Sequence, residues 1–107
     1  MTNNKIYTIT MVQKIEKYYI NKDTWFPDFG EKRCVGYFFN LNEAIRTIKL
    51  NKHNIQDDLY NYCIVEEVPQ GIYKYTPIRY LYKWENNTFI QIDEPIELQK
   101  VTNFSIG

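Results

Sequence analysis

The residues best suited to bind a ligand lie in the stretch IRYLYKW, at positions 78–84. Tyr80, Tyr82 and Trp84 occupy every second position, so an extended strand would present three rings on one face. Planar rings stack on nucleobases, and the neighbouring Arg79 carries a planar cation that suits phosphate. The spacing therefore predicts an aromatic surface that binds a nucleotide-type molecule or a protein partner.

Arg33 and Trp25 complete the predicted set of ligand-binding residues. Arg33 opens a predicted strand that follows a loop containing Trp25. Arginine makes bidentate contacts to phosphate and carboxylate that lysine does not. A surface ion pair is the alternative role for Arg33, and also for Arg79.

Residue patterns that support catalysis or metal binding are missing from the sequence. The chain has one histidine, His53, and one serine, Ser105, and it lacks the Cys-x-x-Cys and His-Glu-x-x-His spacings of zinc sites. Glu66 and Glu67 are adjacent in a predicted strand, so they point to opposite faces and cannot act as one dyad. We therefore expect a binding protein with no catalytic residue, metal or cofactor; a small hydrolase that uses Asp or Glu is a third alternative.

Composition limits the class of protein. The chain has 107 residues, 13 basic and 13 acidic side chains, and a formal net charge of zero. A neutral balance argues against binding to extended nucleic acid, and no apolar run approaches the roughly 20 residues of a membrane span. The N-terminus lacks the apolar block of a signal peptide, and Cys34 and Cys63 are expected to be reduced and buried. We expect one cytoplasmic domain over residues 1–107.

The strand pattern predicts an antiparallel sheet. Strands are expected over residues 5–13, with an alternative extension through Tyr18 and Tyr19, and over residues 33–39 and 62–68. Pro27, Gly30 and several Asn and Asp residues predict a loop over residues 21–32. Residues 71–77 are read as a short extended piece, and residues 100–107 as a last edge strand. The expected order is β-β-α-β-(β)-β-β, an α+β fold with one main helix packed on one face of the sheet.

One helix is predicted after the second strand. Asn40 is the expected N-cap, with Glu43 three residues later to close a capping box. The apolar residues of this segment recur at helical spacing and share one face. They are Leu41, Ala44, Ile45 and Ile48.

A hairpin is predicted near the end of the chain, from Arg79 to Ile92. Asn86-Asn87 suits a two-residue turn, because Asn tolerates positive φ. That turn pairs Trp84 with Phe89 and puts the aliphatic residues Leu81, Ile90 and Ile92 on the face opposite the rings.

We expect the aliphatic face of this hairpin to pack against the helix and the aromatic face to need another cover. The cover could be the Trp25 loop, a second subunit or a ligand. Alternatively, the rings themselves form the core. An aromatic face covered by a second subunit predicts a homo-oligomer.

Four segments, GYFFNLNEAI, YCIVEEVPQGIY, YKWENNTF and NFSIG, resemble an uncharacterised family of small proteins. These proteins come from low-GC Gram-positive bacteria, their phages and mobile elements, and the resemblance extends from Ile6 to Gly107. It implies a bacterial cytoplasm and an accessory or anti-defence role, but it carries no catalytic residue. The leading hypothesis is a non-enzymatic protein that sequesters a nucleotide-type signal. The alternative is a module that binds a host or self protein through the same aromatic face.

Overall fold

A computed structural model of the chain describes residues 5–70 and 78–93, with Pro27 described by its backbone alone. Within these ranges the chain is mainly antiparallel sheet with one helix packed against it, which confirms the predicted α+β fold. The elements are β1 (Lys5–Val12), β2 (Ile15–Asn21), β3 (Thr24–Phe29), β4 (Lys32–Phe38), α1 (Leu41–Lys49), a 3-10 turn (Lys52–Asn54), β5 (Tyr62–Pro69), β6 (Arg79–Glu85) and β7 (Thr88–Ile92). The predicted strands over residues 71–77 and 100–107 lie outside the described residues.

The described strands form two sheets. One has the order β4-β1-β5-β6-β7, with every pair of neighbours antiparallel, and the other consists of β2 and β3. Four strands therefore precede the helix, and the prediction of a loop over residues 21–32 is wrong. Pro27 is tolerated in β3 because this strand lies at the edge of its sheet. The side chain of Asn21 accepts hydrogen bonds from the backbone N–H groups of Asp23 and Thr24, both at 3.0 Å, and so stabilises the turn.

The two sheets share one continuous ribbon of chain. β1 pairs with β4, and β2 pairs with β3. Between these pairs, Gln13 N–H donates to the Glu31 carbonyl at 2.9 Å, and Gly30 N–H donates to the Lys14 carbonyl at 3.1 Å. The hairpin formed by β2 and β3 is thus a continuation of the β1–β4 pair along the strand direction, past the end of the larger sheet.

The helix forms as predicted. The Asn40 side chain accepts a hydrogen bond from the Glu43 N–H at 3.2 Å, so Asn40 is the N-cap. Ala44 and Ile48 are buried, and Leu41 and Ile45 pack against the same core. The expected apolar face of the helix is therefore confirmed.

The β6–β7 hairpin has the predicted register. Asn86 and Asn87 both have positive φ, 52° and 64°, as a two-residue turn of this kind requires. Trp84 lies opposite Phe89, and Lys83 lies opposite Ile90. The turn therefore fixes which side chains share a face.

The face that packs under the helix is the aromatic one, so the predicted orientation of this hairpin is wrong. Tyr82 and Phe89 join Ala44 and Ile48 in the main core cluster. The neighbouring strand explains this choice. On β5 the aromatic face continues with Cys63 and Val65, whereas the aliphatic face continues with Glu66, whose carboxylate would be costly to place against an apolar helix.

The aliphatic face is covered as well. Leu81 is buried with Val12 and Ile64, and the partly buried residues packed on them include Ile15 and Phe29 from the hairpin of the smaller sheet.

The two cysteines differ in their surroundings. Cys63 is buried, but Cys34 is exposed, so the prediction that both are buried is wrong for Cys34. Neither forms a disulfide.

Candidate functional site

The three rings of the predicted binding stripe lie in or beside the core. Tyr82 is 1 % exposed, and the half-buried Tyr80 and Trp84 pack against the same cluster. The Trp84 ring centroid lies 4.9 Å from that of Phe89, at an interplanar angle of 65°. Burial, assisted by the charges of Cys63 and Tyr80, raises the pKa of Tyr82. The prediction that this stripe forms an open binding face is wrong, because its side chains stabilise the fold.

The Arg79 side chain does not share a face of the sheet with those rings. It lies on the other face of the sheet, where its cross-strand neighbour is Glu66, a residue with no exposed surface. Thr8 lies across from Glu66 on the other side, and Thr10 follows Thr8 along β1, both of them buried. Arg79 therefore belongs to a polar row within the fold, and it is separated from Tyr80, Tyr82 and Trp84 by the thickness of the sheet.

The remaining two predicted residues lie in two further places. Arg33 lines a surface cleft between β4 and the segment that follows the helix. Trp25 lies in β3, in the hairpin of the smaller sheet, rather than in a loop. The six predicted site residues therefore do not form one site.

The hairpin β2–β3, residues 15–29, is hereafter called the arm. Every residue of β2 after Ile15 is exposed. On one face, Tyr18 and Phe26 are cross-strand neighbours, with exposures of 56 % and 45 % and ring centroids 5.0 Å apart. This aromatic pair lies on the surface, and Phe26 falls within residues 21–32, where the sequence predicted a loop.

The other face of the arm also carries rings. Tyr19 lies opposite Trp25, and the Lys17 Nζ lies 5.0 Å from the centroid of the Trp25 ring. That distance is typical of a cation–π contact. Tyr19 and the adjacent Ile20 are more than half exposed. Because both faces expose large apolar groups, the arm has the composition of a contact surface rather than of a solvated turn.

The two edges of the arm differ in their backbone. Among the described residues, β2 pairs only with β3, and β3 only with β2. Pro27 interrupts β3 and has no N–H to donate, so a further strand cannot form a complete ladder there. β2 contains no proline and consists mainly of residues that favour strands, so it is the edge suited to pairing.

Two carboxylates lie at the base of the arm, on the face that carries Tyr18 and Phe26. Glu16 is the cross-strand neighbour of Asp28, and like charges directly opposite each other are unfavourable. Lys14 Nζ lies 3.9 Å from Glu16 Oε1, a weak and exposed contact. This end of the face would therefore favour a cationic group on a partner.

The described residues contain no group of three His, Cys, Asp or Glu side chains that could hold a metal ion. None of the helices in those ranges has the length and apolar character required to cross a membrane.

Comparison of the chain with protein-family models, curated proteins and solved structures finds no match. The resemblance to small phage and bacterial proteins therefore stays a prediction.

Proposed function

We propose that this chain is a non-enzymatic protein-binding module whose arm captures an extended segment of a partner protein. The observation that supports this proposal is a two-stranded ribbon with large apolar side chains exposed on both faces. An isolated two-stranded ribbon is marginally stable in water, and a third strand adds a ladder of hydrogen bonds and places its own side chains beside those exposed on each face. A partner strand would supply what the arm lacks.

The partner segment pairs with the edge of β2. Main-chain hydrogen bonds to β2 provide affinity, and alternate side chains of the partner lie on the two faces of the arm. On one face they contact Tyr18, and on the other they contact Tyr19. Pro27 supports this choice of edge, because it prevents the same pairing along β3.

Charge further restricts the partner. The acidic pair Glu16 and Asp28 favours a lysine or arginine at one end of the bound segment. Tyr18 and Phe26 favour an apolar residue further along the same face. The expected partner sequence therefore combines one basic residue with alternating apolar residues.

The context of this binding follows from the resemblance. We expect a host or self protein in the cytoplasm of a bacterial cell, and an accessory or anti-defence role in a phage or mobile element. The proposed capture of a nucleotide-type signal by stacking on Tyr82 loses its support, because that ring is in the core.

Photo-crosslinking in bacterial cells tests the proposal directly. A benzophenone amino acid replaces Tyr18 in one strain and Tyr37 in a control strain. Tyr37 is a suitable control because it is 58 % exposed, close to the 56 % of Tyr18, but lies on β4 of the larger sheet. We expect crosslinked protein conjugates from position 18 and a much lower yield from position 37.

Mass spectrometry of the conjugates then identifies the partner as a host protein or as a second copy of this chain. Glu16→Lys should lower the yield from position 18, because it removes an attractive charge from the base of the arm. Equal yields from positions 18 and 37, or no conjugate from position 18, would contradict the proposal.

A further inference from the structure

A cleft of about 450 Å³ opens between the edge strand β4 and the segment that follows the helix. Its volume lies within the range of about 300–1,000 Å³ that is usual for small-molecule sites. The cleft is separate from the arm residues discussed above. Its lining residues are Arg33, Val35, His53, Asn54, Ile55 and Asp57.

Two of the lining residues come from β4. Arg33 and Val35 are two positions apart, and successive side chains of a strand alternate between its faces, so both project from the same side. Cys34 pairs with Thr10 and Gly36 pairs with Ile9, so Val35 is also the additional residue of a β-bulge. Both side chains line the cleft.

The opposite wall is a segment held in one conformation by its own hydrogen bonds. Gln56, which is buried, donates from its side chain to the Tyr60 carbonyl at 3.0 Å and accepts from the Asp58 N–H at 3.0 Å. The Asn51 side chain accepts from the Gln56 N–H at 2.9 Å. The side chains on this wall are therefore presented by an ordered turn, which lowers the entropic cost of binding.

This wall also has an unusual backbone. His53, Asn54 and Asp57 all have positive φ, at 57°, 50° and 53°. Residues other than glycine adopt this region at a cost, which is smallest for Asn, Asp and His. Here three of the six lining residues adopt it.

The lining side chains have complementary chemistry. Among the described residues, Arg33 takes part in no salt bridge. Burial and Glu31 raise the pKa of the nearby Tyr60 hydroxyl, and the charge and hydrogen bonding of Arg33 oppose that rise. Glu31 itself accepts a hydrogen bond from that hydroxyl at 3.3 Å. The Arg33 guanidinium and the His53 imidazole both suit an anion.

Asp57 and the apolar residues restrict the ligand further. A carboxylate accepts hydrogen bonds and repels a bare anion, so Asp57 favours a ligand that also carries hydroxyl groups. Val35 and Ile55 provide an apolar wall. From these features we propose that the cleft binds a phosphate ester of a small sugar, with the phosphate at Arg33 and His53 and the sugar hydroxyls at Asp57.

Titration with ribose 5-phosphate, inorganic phosphate and ribose tests this proposal, with amide chemical shifts as the readout. Ribose 5-phosphate at millimolar concentration should shift the amides of residues 33–35 and 53–57. Inorganic phosphate should bind more weakly at the same amides, and ribose alone should have no effect. No localised shift with ribose 5-phosphate would overturn the proposal.

Variants separate the two parts of the ligand. Arg33→Gln should weaken ribose 5-phosphate binding by about tenfold or more. Lys32→Gln is the matched control: it removes the same charge from the adjacent position, which pairs with Val12 on the other face of the sheet. It should change the affinity by less than about twofold, because a screened charge on that face contributes little.

Asp57→Asn should weaken ribose 5-phosphate but not inorganic phosphate, because only the sugar needs the carboxylate. If Arg33→Gln does not fold, Arg33→Lys keeps the charge and removes the bidentate contact, and it should also weaken binding. Equal losses in the Arg33 and Lys32 variants would overturn the proposal, since they would reveal general attraction to a positive surface.

Discussion

The side chain of Gln13 occupies the space that a side chain on Gly30 would need. A Cβ on Gly30 would lie 2.9 Å from the Cβ and 2.7 Å from the Oε1 of Gln13. The same Oε1 accepts a hydrogen bond from the Glu31 N–H at 3.1 Å. These contacts lie where the arm leaves the larger sheet, so close packing at one glycine helps to set the path of the ribbon.

Gly30→Ala should therefore destabilise the protein. Moving Gln13 to admit a methyl group would break its hydrogen bond to Glu31, and overpacking of this kind costs about 1–3 kcal/mol. Chemical denaturation measures the change. Gly36→Ala is the control, since a Cβ there meets no atom within 4 Å. A loss of the same size in both variants would show that the contact with Gln13 is unimportant.

The aromatic residues of the arm and of the core should respond differently to truncation. Tyr82→Ala opens a cavity in the core cluster and should lower the free energy of unfolding by about 3–5 kcal/mol. Tyr18→Ala removes an exposed ring that contacts Phe26 and should cost about 1 kcal/mol or less. Urea denaturation of both variants compares the two, and a cost for Tyr18→Ala near that of Tyr82→Ala would contradict a surface role for the arm.

The cap of the helix should contribute measurably to stability. Asn40→Ala removes the acceptor for the Glu43 N–H and should lower the free energy of unfolding by about 1 kcal/mol. Asn42→Ala is the matched control, because Asn42 is an exposed residue inside the helix, where alanine is the better helix former. Thermal unfolding should show a lower midpoint for the first variant only, and equal midpoints would show that the cap is dispensable.

Stability should decrease at alkaline pH because of Cys63. Burial raises the pKa of this thiol far above its ordinary value of 9.0, so the folded protein keeps a proton that the unfolded chain releases. The stabilisation is fully present below pH 9.0 and is lost as the pH rises above it, by about 1.4 kcal/mol per pH unit. Tyr60 and Tyr82, whose pKa values are raised from 10.0, add to the loss above pH 10.

Cys63→Ala isolates the contribution of the thiol. The variant starts less stable, because it leaves a small cavity, but its free energy of unfolding should fall less steeply above pH 9.0. Urea denaturation at a series of pH values compares the two slopes. Parallel declines would mean that the buried thiol is not the group responsible.

Local features of the fold could be predicted from the sequence, whereas the choice of faces could not. The Asn86-Asn87 turn and the Asn40 cap depend on groups a few positions apart, so their residue types were sufficient. The face that the helix covers depends on the strand beside the hairpin. There Val65 and Glu66 continue the aromatic and aliphatic faces respectively, and one sequence does not reveal which strands are neighbours.

The two candidate sites were missed for different reasons. The arm contains Pro27 and is followed by Gly30, both typical of loops, although the paired apolar residues around Tyr18 and Phe26 could have indicated a hairpin. Tertiary packing places Arg33 and the distant Asp57 in the walls of one cleft. No spacing along the chain predicts that these two residues lie close together.

The continuity of the ribbon has a consequence for hydrogen exchange. β1 lies between two paired strands, so the amides of Ile9 and Met11 should exchange with solvent only when the larger sheet opens. The amides of Tyr18 and Ile20, on the same stretch of chain, lie in the smaller sheet and should exchange through local fraying. Between Met11 and Tyr18 the protection factors should therefore fall abruptly, so one uninterrupted stretch of chain has a slowly opening half and a rapidly opening half.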